Sequence, residues 1–289
     1  MYGTMAKETF NLIDADGRKL HACKWGTDSD PIAVVAIIHG LSDHTGRYEH
    51  FSEFLNKNRI AVIGMDYQGH GKSPGKRGHV RSYELLFSNI ENLLIEARLD
   101  FINTPLFLYG HSLGGNIVAN YVLRHQSKEI TGSIISAPFF EVAFNSPSWK
   151  IKLAKILNSA WPSLTLSNEL DPMELSHDPL VGKAYLEDPL VHGKISVGVY
   201  NNAITQGVWA LENARLLNYP TLIMHGSDDR LTSHKASERF AKEAGSLASI
   251  KIWEGLRHEI HNENNKEEIM NFMCDWIRKY LPVDKIKEN

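Results

Sequence analysis

The chain predicts an α/β protein: an eight-stranded, mostly parallel sheet flanked by helices, with one inserted cap. Three observations carry this. Short apolar, β-rich runs alternate with helical spacings, the pattern of parallel strands covered on both faces. An apolar run ending at Tyr109 meets a helix-like run across Gly110-His111-Ser112-Leu113-Gly114-Gly115. The alternation then stops between Pro138 and about Arg215 and resumes afterwards.

The strands are read at Phe10–Ile13 and Leu20–Trp25, an antiparallel hairpin turned by Asp16-Gly17. They continue at Ala33–His39, Ala61–Asp66, Leu106–Tyr109, Ser133–Ser136, Thr221–His225 and Ser249–Trp253. Helical spacing joins Tyr83, Leu86, Phe87, Ile90, Leu93, Leu94 and Ala97, and again Ile269, Phe272, Met273, Trp276, Ile277 and Tyr280. Both stripes read as sheet-facing core. Residues 1–138 and 216–289 are expected to form the core domain, and 139–215 the cap or lid. Within the cap, Trp149, Ile151, Leu153, Ile156, Leu157 and Trp161 share an amphipathic stretch with Lys150, Lys152 and Lys155. Such a stretch suits a lid or lipid-facing helix, and equally a packed helix with a solvated lysine face.

Composition narrows the class. At 289 residues, with 43% hydrophobic and 22% charged side chains, the chain fits one soluble α/β core with an insertion. A net charge of −3 gives no electrostatic case for nucleic-acid binding. Cys23 and Cys274 are the only cysteines, too few for a disulfide framework or a multi-cysteine metal site. The first ten residues lack the apolar core of a secretory signal, and no stretch approaches the roughly 20 apolar residues of a membrane span. A cytoplasmic location is expected, with peripheral membrane contact through the cap left open.

Gly110-His111-Ser112-Leu113-Gly114 is a Gly-x-Ser-x-Gly turn between strand and helix. Its glycines permit a turn too tight for Cβ atoms, and the serine is lifted above the sheet at a helix N-terminus, where the dipole favours developing negative charge. Ser112 is the candidate nucleophile. A serine hydroxyl needs a histidine base and a carboxylate to orient that base. Gly226-Ser227-Asp228-Asp229-Arg230 follows one late strand, and Glu254-Gly255-Leu256-Arg257-His258 follows the last. His258 is the candidate base. Spacing alone leaves Asp228 and Asp229 open as the acid. Two backbone N–H groups should hold the oxyanion: Leu113, directly after the nucleophile, and Leu41, in the loop after an earlier strand. His39 is read as a structural residue below the site. Gly69-His70-Gly71-Lys72-Ser73 lacks the spacing of a phosphate loop and reads as a turn.

Taken together, His39-Gly40 with Asp43-His44-Thr45-Gly46-Arg47-Tyr48, Asp66-Tyr67-Gln68-Gly69-His70-Gly71-Lys72-Ser73, the serine turn, Gly226-Ser227-Asp228-Asp229-Arg230 and Glu254-Gly255-Leu256-Arg257-His258 resemble the monoacylglycerol lipase and lysophospholipase branch of the α/β-hydrolases. The resemblance runs from about Pro31 to Leu281, strong in the core and weak across the cap. It implies the α/β-hydrolase fold, places the triad acid on Asp229, and suggests Arg47 and His261 as glycerol-side contacts. Thr232 stands where animal monoacylglycerol lipases carry a cysteine near the acid, so thiol-directed inhibition does not carry over.

The expected activity is cleavage of a single-chain lipid ester, foremost a monoacylglycerol, to fatty acid and alcohol, with no metal or organic cofactor. Lysophospholipase and broad carboxylesterase activities are the nearest rivals. Aminopeptidase activity lacks an evident acidic cluster for a substrate amine. A non-catalytic ligand-binding protein would be expected to lack a triad member, and acyl transfer to an alcohol would use the same triad. Headgroup, chain length and oligomeric state are not legible from these residues.

Overall fold

A computed structural model describes residues 7–126, 129–144 and 157–282. Eight strands form one sheet: β1 (Lys7–Ile13), β2 (Lys19–Trp25), β3 (Ala33–Ile38), β4 (Ile60–Met65), β5 (Leu106–His111), β6 (Gly132–Ser136), β9 (Thr221–Gly226) and β10 (Ala248–Trp253). Their order across the sheet is β1-β2-β4-β3-β5-β6-β9-β10. β1 pairs antiparallel with β2, and β2 antiparallel with β4; every later neighbour is parallel. All eight strands expected from the sequence are present.

The central strand β3 shows why the sheet is covered on both faces. Its six residues are all buried. Period two sends Val34, Ala36 and Ile38 into one apolar cluster and Ala33, Val35 and Ile37 into the other. The first face packs helices α2 (Tyr83–Asp100) and α3 (Leu113–Arg124) through Leu86, Ile90, Leu93, Ile117 and Val118. The opposite face packs α1 (Glu49–Lys57) and the C-terminal helix α7 (Lys266–Arg278) through Phe51, Leu55, Ile269, Met273 and Trp276. Ser82 starts α2 by accepting from the Leu85 N–H at 3.3 Å, a cap contributing about 1 kcal/mol.

Between β6 and β9 the chain leaves the sheet. Two three-residue strands, β7 (Thr165–Ser167) and β8 (Lys194–Ser196), pair antiparallel as a separate small sheet. Helices α4 (Pro179–Glu187) and α5 (Val197–Glu212) also belong to this segment; the chain rejoins the main sheet at β9, and α6 (His234–Ala244) follows it. Asp178 caps α4 and Pro179 occupies its first turn, where a missing N–H costs nothing. Of the amphipathic stretch Trp149–Trp161, residues 149–156 lie outside the described residues. The carboxyl ends of the parallel strands β3, β5, β9 and β10 lie on one edge of the sheet, where α/β proteins hold their ligands.

Candidate active site

The turn that carries Ser112, the candidate nucleophile, is built by close approach of backbone. Ser112 follows β5 and precedes α3 with φ 54° and ψ −116°, in the left-handed half of backbone space that a side chain disfavours. The neighbouring chain holds it there. Ser112 N–H donates to the Ser136 carbonyl at 2.9 Å, and the Ser112 carbonyl accepts from Phe139 and Asn116 N–H, both at 3.0 Å. The flanking glycines are sterically required: a Cβ on Gly110 would lie 2.4 Å from the Gly114 carbonyl oxygen, and one on Gly114 would lie 2.0 Å from that of Ile38.

The loops after β9 and β10 bring a carboxylate and an imidazole together. Asp229 Oδ2 lies 2.7 Å from His258 Nδ1, both side chains buried. Asp228, its neighbour, is 41% exposed and faces Arg230 at 3.6 Å. Asp229 is held from every side: Leu231 and Thr232 N–H donate to Oδ1 at 2.8 and 3.0 Å, and the Thr232 hydroxyl donates to Oδ2 at 2.9 Å. A second, fully buried histidine, His225, places Nε2 2.9 Å from Oδ2 and Nδ1 2.8 Å from the Ser237 hydroxyl. The sequence reading did not find His225 or the hydroxyl role of Thr232. One histidine among fourteen at a strand end carries little signal alone.

Electrostatics follow from this packing. Burial opposes charge on Asp229, yet His258 and His225 outweigh it and hold the carboxyl well below its usual range. Burial likewise opposes charge on His258, but the Asp229 carboxylate wins and raises its pKa above 6.5. An ionised Asp229 accepts from His258 Nδ1–H, which leaves Nε2 as the basic nitrogen of the neutral ring. Ser112 and His258 line the same cavity.

The loop after β3 passes close to Ser112. A Cβ on Gly40 would meet Ser112 Cβ at 3.4 Å, and Leu41, half-buried, lines the cavity. Leu113 is buried at the start of α3. The Asp43 carboxylate accepts from the Tyr48 hydroxyl at 2.9 Å and from Gly40 N–H at 3.4 Å. Arg47 also lines the cavity, but its guanidinium is already engaged: it forms two 2.8 Å hydrogen bonds to Glu259, a third to Asp43 at 3.1 Å, and lies 4.9 Å from the Tyr185 ring. His261 is placed differently from Arg47. Its ring stacks on Tyr48 at 5.3 Å and meets His111 at 4.9 Å, fully buried and not on the described cavity wall. Burial pushes its pKa down to about 3, so it is neutral.

The cavity has a volume of about 860 Å³, within the range of pockets that enclose a small organic ligand. Its lining includes the polar Ser112, His258, Arg47 and Glu259; Phe139, Val142, Leu157, Leu166 and Val197 supply apolar wall. Phe144 and Leu166 on this wall are also 56% and 51% exposed. Among the described residues no cluster of three or more His, Cys, Asp or Glu side chains is arranged to hold a metal ion, and no helix is long and apolar enough to cross a membrane.

Residues 29–265 match the model of the serine aminopeptidase S33 family. The monoacylglycerol lipase of Mycolicibacterium smegmatis is 32% identical over 259 residues, covering 89% of this chain and 92% of that protein. An uncharacterized abhydrolase domain-containing protein of Dictyostelium discoideum is 36% identical over 280 residues; the match covers 96% of this chain and 30% of that longer protein. The crystal structure of the Paleococcus ferrophilus monoacylglycerol lipase superposes with a TM-score of 0.82 at 35% identity, over 90% of this chain and 99% of that one. With a serine turn, a buried carboxylate–imidazole pair and a family match across most of its length, the chain is a serine hydrolase of the α/β-hydrolase fold and belongs to the serine aminopeptidase S33 family.

Proposed function

We propose that the protein hydrolyses the ester bond of monoacylglycerols. The observation that carries this reading is the joining of an acid–base pair and a serine turn to one cavity, polar at the reacting end and walled by apolar side chains beyond it. Relatives and a structural neighbour named as monoacylglycerol lipases support the choice of substrate.

Ser112 Oγ attacks the acyl carbonyl carbon while His258 Nε2 takes its proton. The ionised Asp229 stabilises the imidazolium through Nδ1–H, and the Leu41 and Leu113 N–H groups receive the negative charge on the carbonyl oxygen. Collapse of the tetrahedral species breaks the bond to the glycerol oxygen, which leaves with the proton from Nε2. Water then attacks the acyl-enzyme, giving its proton to His258, and releases fatty acid and free Ser112. No metal or organic cofactor enters this cycle.

Residues 139–215 serve in this reading as the cap over the acyl chain. Arg47 bounds the glycerol side together with Glu259, and His261 supports that side from beneath through Tyr48 and His111. The exposed Phe144, Trp161 and Leu166 supply apolar contact for a peripheral encounter with a lipid surface. The test is a release assay on purified protein with monoacylglycerols, lysophospholipids, diacylglycerols and short chromogenic esters, alongside Ser112→Ala. The expected result is fastest release from monoacylglycerol and a loss of about 10⁶-fold in kcat for Ser112→Ala. Preference for lysophospholipids would reassign the headgroup, and turnover in a clean Ser112→Ala preparation would overturn the mechanism.

A further inference from the structure

The Leu41 N–H belongs to the peptide joining Gly40 to Leu41. A trans peptide is planar, so its N–H points opposite to its carbonyl. Whatever holds the Gly40 carbonyl therefore aims the Leu41 N–H. Two side chains hold it. His39 Nδ1 lies 2.8 Å and the Tyr67 hydroxyl 2.7 Å from the Gly40 oxygen. The Tyr67 hydroxyl also approaches the His39 carbonyl at 3.3 Å, the longer of its two contacts.

These two residues follow β3 and β4, paired strands whose Ile38 and Met65 are register partners. Their rings stack at 4.0 Å and 10°, both fully buried. Neither residue lines the cavity. Their protonation is also determined. A carbonyl only accepts, so His39 carries its proton on Nδ1; burial lowers its pKa and keeps the ring neutral. Burial raises Tyr67 well above 10, so the phenol keeps the proton it donates. Downstream, Ser42 has φ 61°, a left-handed conformation that a side chain disfavours.

We propose that His39 and Tyr67 are positioning residues for the oxyanion hole: their hydrogen bonds to the Gly40 carbonyl fix the peptide plane that presents the Leu41 N–H to the reacting oxygen. The inference rests on the assignment of Leu41 as an oxyanion donor. Donors fixed before the reaction need no reorganisation during it, which is the source of their effect on rate.

The test compares kcat, KM and the inhibition constant of an alkyl trifluoromethyl ketone, which forms a tetrahedral adduct with serine, in the full-length protein and its variants on a short chromogenic ester. Removing a whole oxyanion donor lowers kcat by about 10²–10³-fold, so tilting one through Tyr67→Phe is expected to lower it by about tenfold, with KM within about twofold. The ketone should weaken by the same factor as kcat. His39→Asn keeps an N–H at the δ position and is expected to retain most of the activity; His39→Leu should not. Should His39→Leu fail to fold, Tyr67→Phe decides alone. A Tyr67→Phe protein with lowered melting temperature but unchanged kcat and ketone affinity overturns the inference and leaves the esterase reading standing, as does a change confined to KM. A wild-type protein that hydrolyses no ester overturns that reading and this inference with it.

Discussion

Asp228 and Asp229 are adjacent in sequence and opposite in environment. One is 41% exposed beside Arg230; the other accepts hydrogen bonds from His258, His225, Thr232 and two backbone N–H groups. In the proposed triad, an amide in place of the carboxylate leaves the imidazole in the wrong tautomer, so Asp229→Asn should lower kcat by about 10⁴-fold at neutral pH, and Asp228→Asn by less than about tenfold. Steady-state kinetics of the two variants checks this, and the reverse order would shift the acid by one residue. The same carboxylate sets the pH profile. His258 must be neutral to accept the serine proton, and its pKa is raised above 6.5 because the opposing effect of burial is outweighed by Asp229. Hence kcat/KM should fall as pH drops through that raised pKa, with one proton taken up, and reach a plateau above it. In Asp229→Asn the inflection of the residual activity should move to lower pH, because the charge that favoured the imidazolium is gone. An inflection that stays in place would detach the profile from this pair. At this scale the sequence offers Ser112, His258 and a choice of two aspartates as candidates, because each stands at a fixed place relative to a strand end. His225 was not legible there: its significance lies in the 2.9 Å approach to Asp229, a distance that spacing along the chain does not encode.

The elements that were legible are those with an uninterrupted period. β3, β5 and β9 are buried at all six residues each, β3 apolar throughout and the other two along their central runs, and the Tyr83 to Ala97 stripe became the buried side of α2. The elements between β6 and β9 were not legible for a physical reason. β7 and β8 are three residues long, too short to show a period, and Thr165 pairs with Ser196 across thirty intervening positions. Arg47 shows the same limit at a loop: its two hydrogen bonds to Glu259 join residues 212 positions apart. The Gly-x-Ser-x-Gly turn at Ser112 is the element where local sequence and three-dimensional packing agree most closely, and it can be tested through its glycines. A methyl on Gly114 would stand 2.0 Å from the Ile38 carbonyl oxygen, a backbone atom that moves only with β3 and the Leu41 loop. Gly114→Ala should therefore destabilise the fold by about 1–3 kcal/mol, the range for overpacking, and displace Leu41 relative to Ser112. Urea unfolding gives the first quantity, and the rate of Ser112 labelling by a fluorophosphonate reports the second. Wild-type stability together with wild-type labelling would show that the turn has more room than the structure gives it.

On the scale of the whole molecule, loops of the main sheet carry the proposed catalytic residues, and the segment between β6 and β9 supplies much of the cavity wall around them. Phe139, Val142, Leu157, Leu166 and Val197 come from that segment, whereas Ser112 and His258 come from loops of the sheet. The cavity of about 860 Å³ thus joins a reacting end fixed by backbone geometry to an apolar wall. Such a division predicts a particular substrate dependence. Each methylene removed from water contributes up to about 0.8 kcal/mol, or roughly fourfold in kcat/KM, for as long as added carbons find apolar wall. The gain should end where the chain fills the cavity, producing an optimum rather than a steady rise. Triacylglycerols should be poor substrates, because two further chains have no place beside Arg47 and Glu259, which bound the polar end and are held to one another. Measuring kcat/KM across saturated monoacylglycerols, each below its aggregation limit, tests both expectations. Medium or long chains should exceed acetyl esters by a margin that grows with each added pair of carbons up to the optimum. A flat profile, or faster cleavage of acetyl esters than of any longer chain, would show that the apolar wall does not hold the acyl group, and the protein would then be a general small-ester hydrolase.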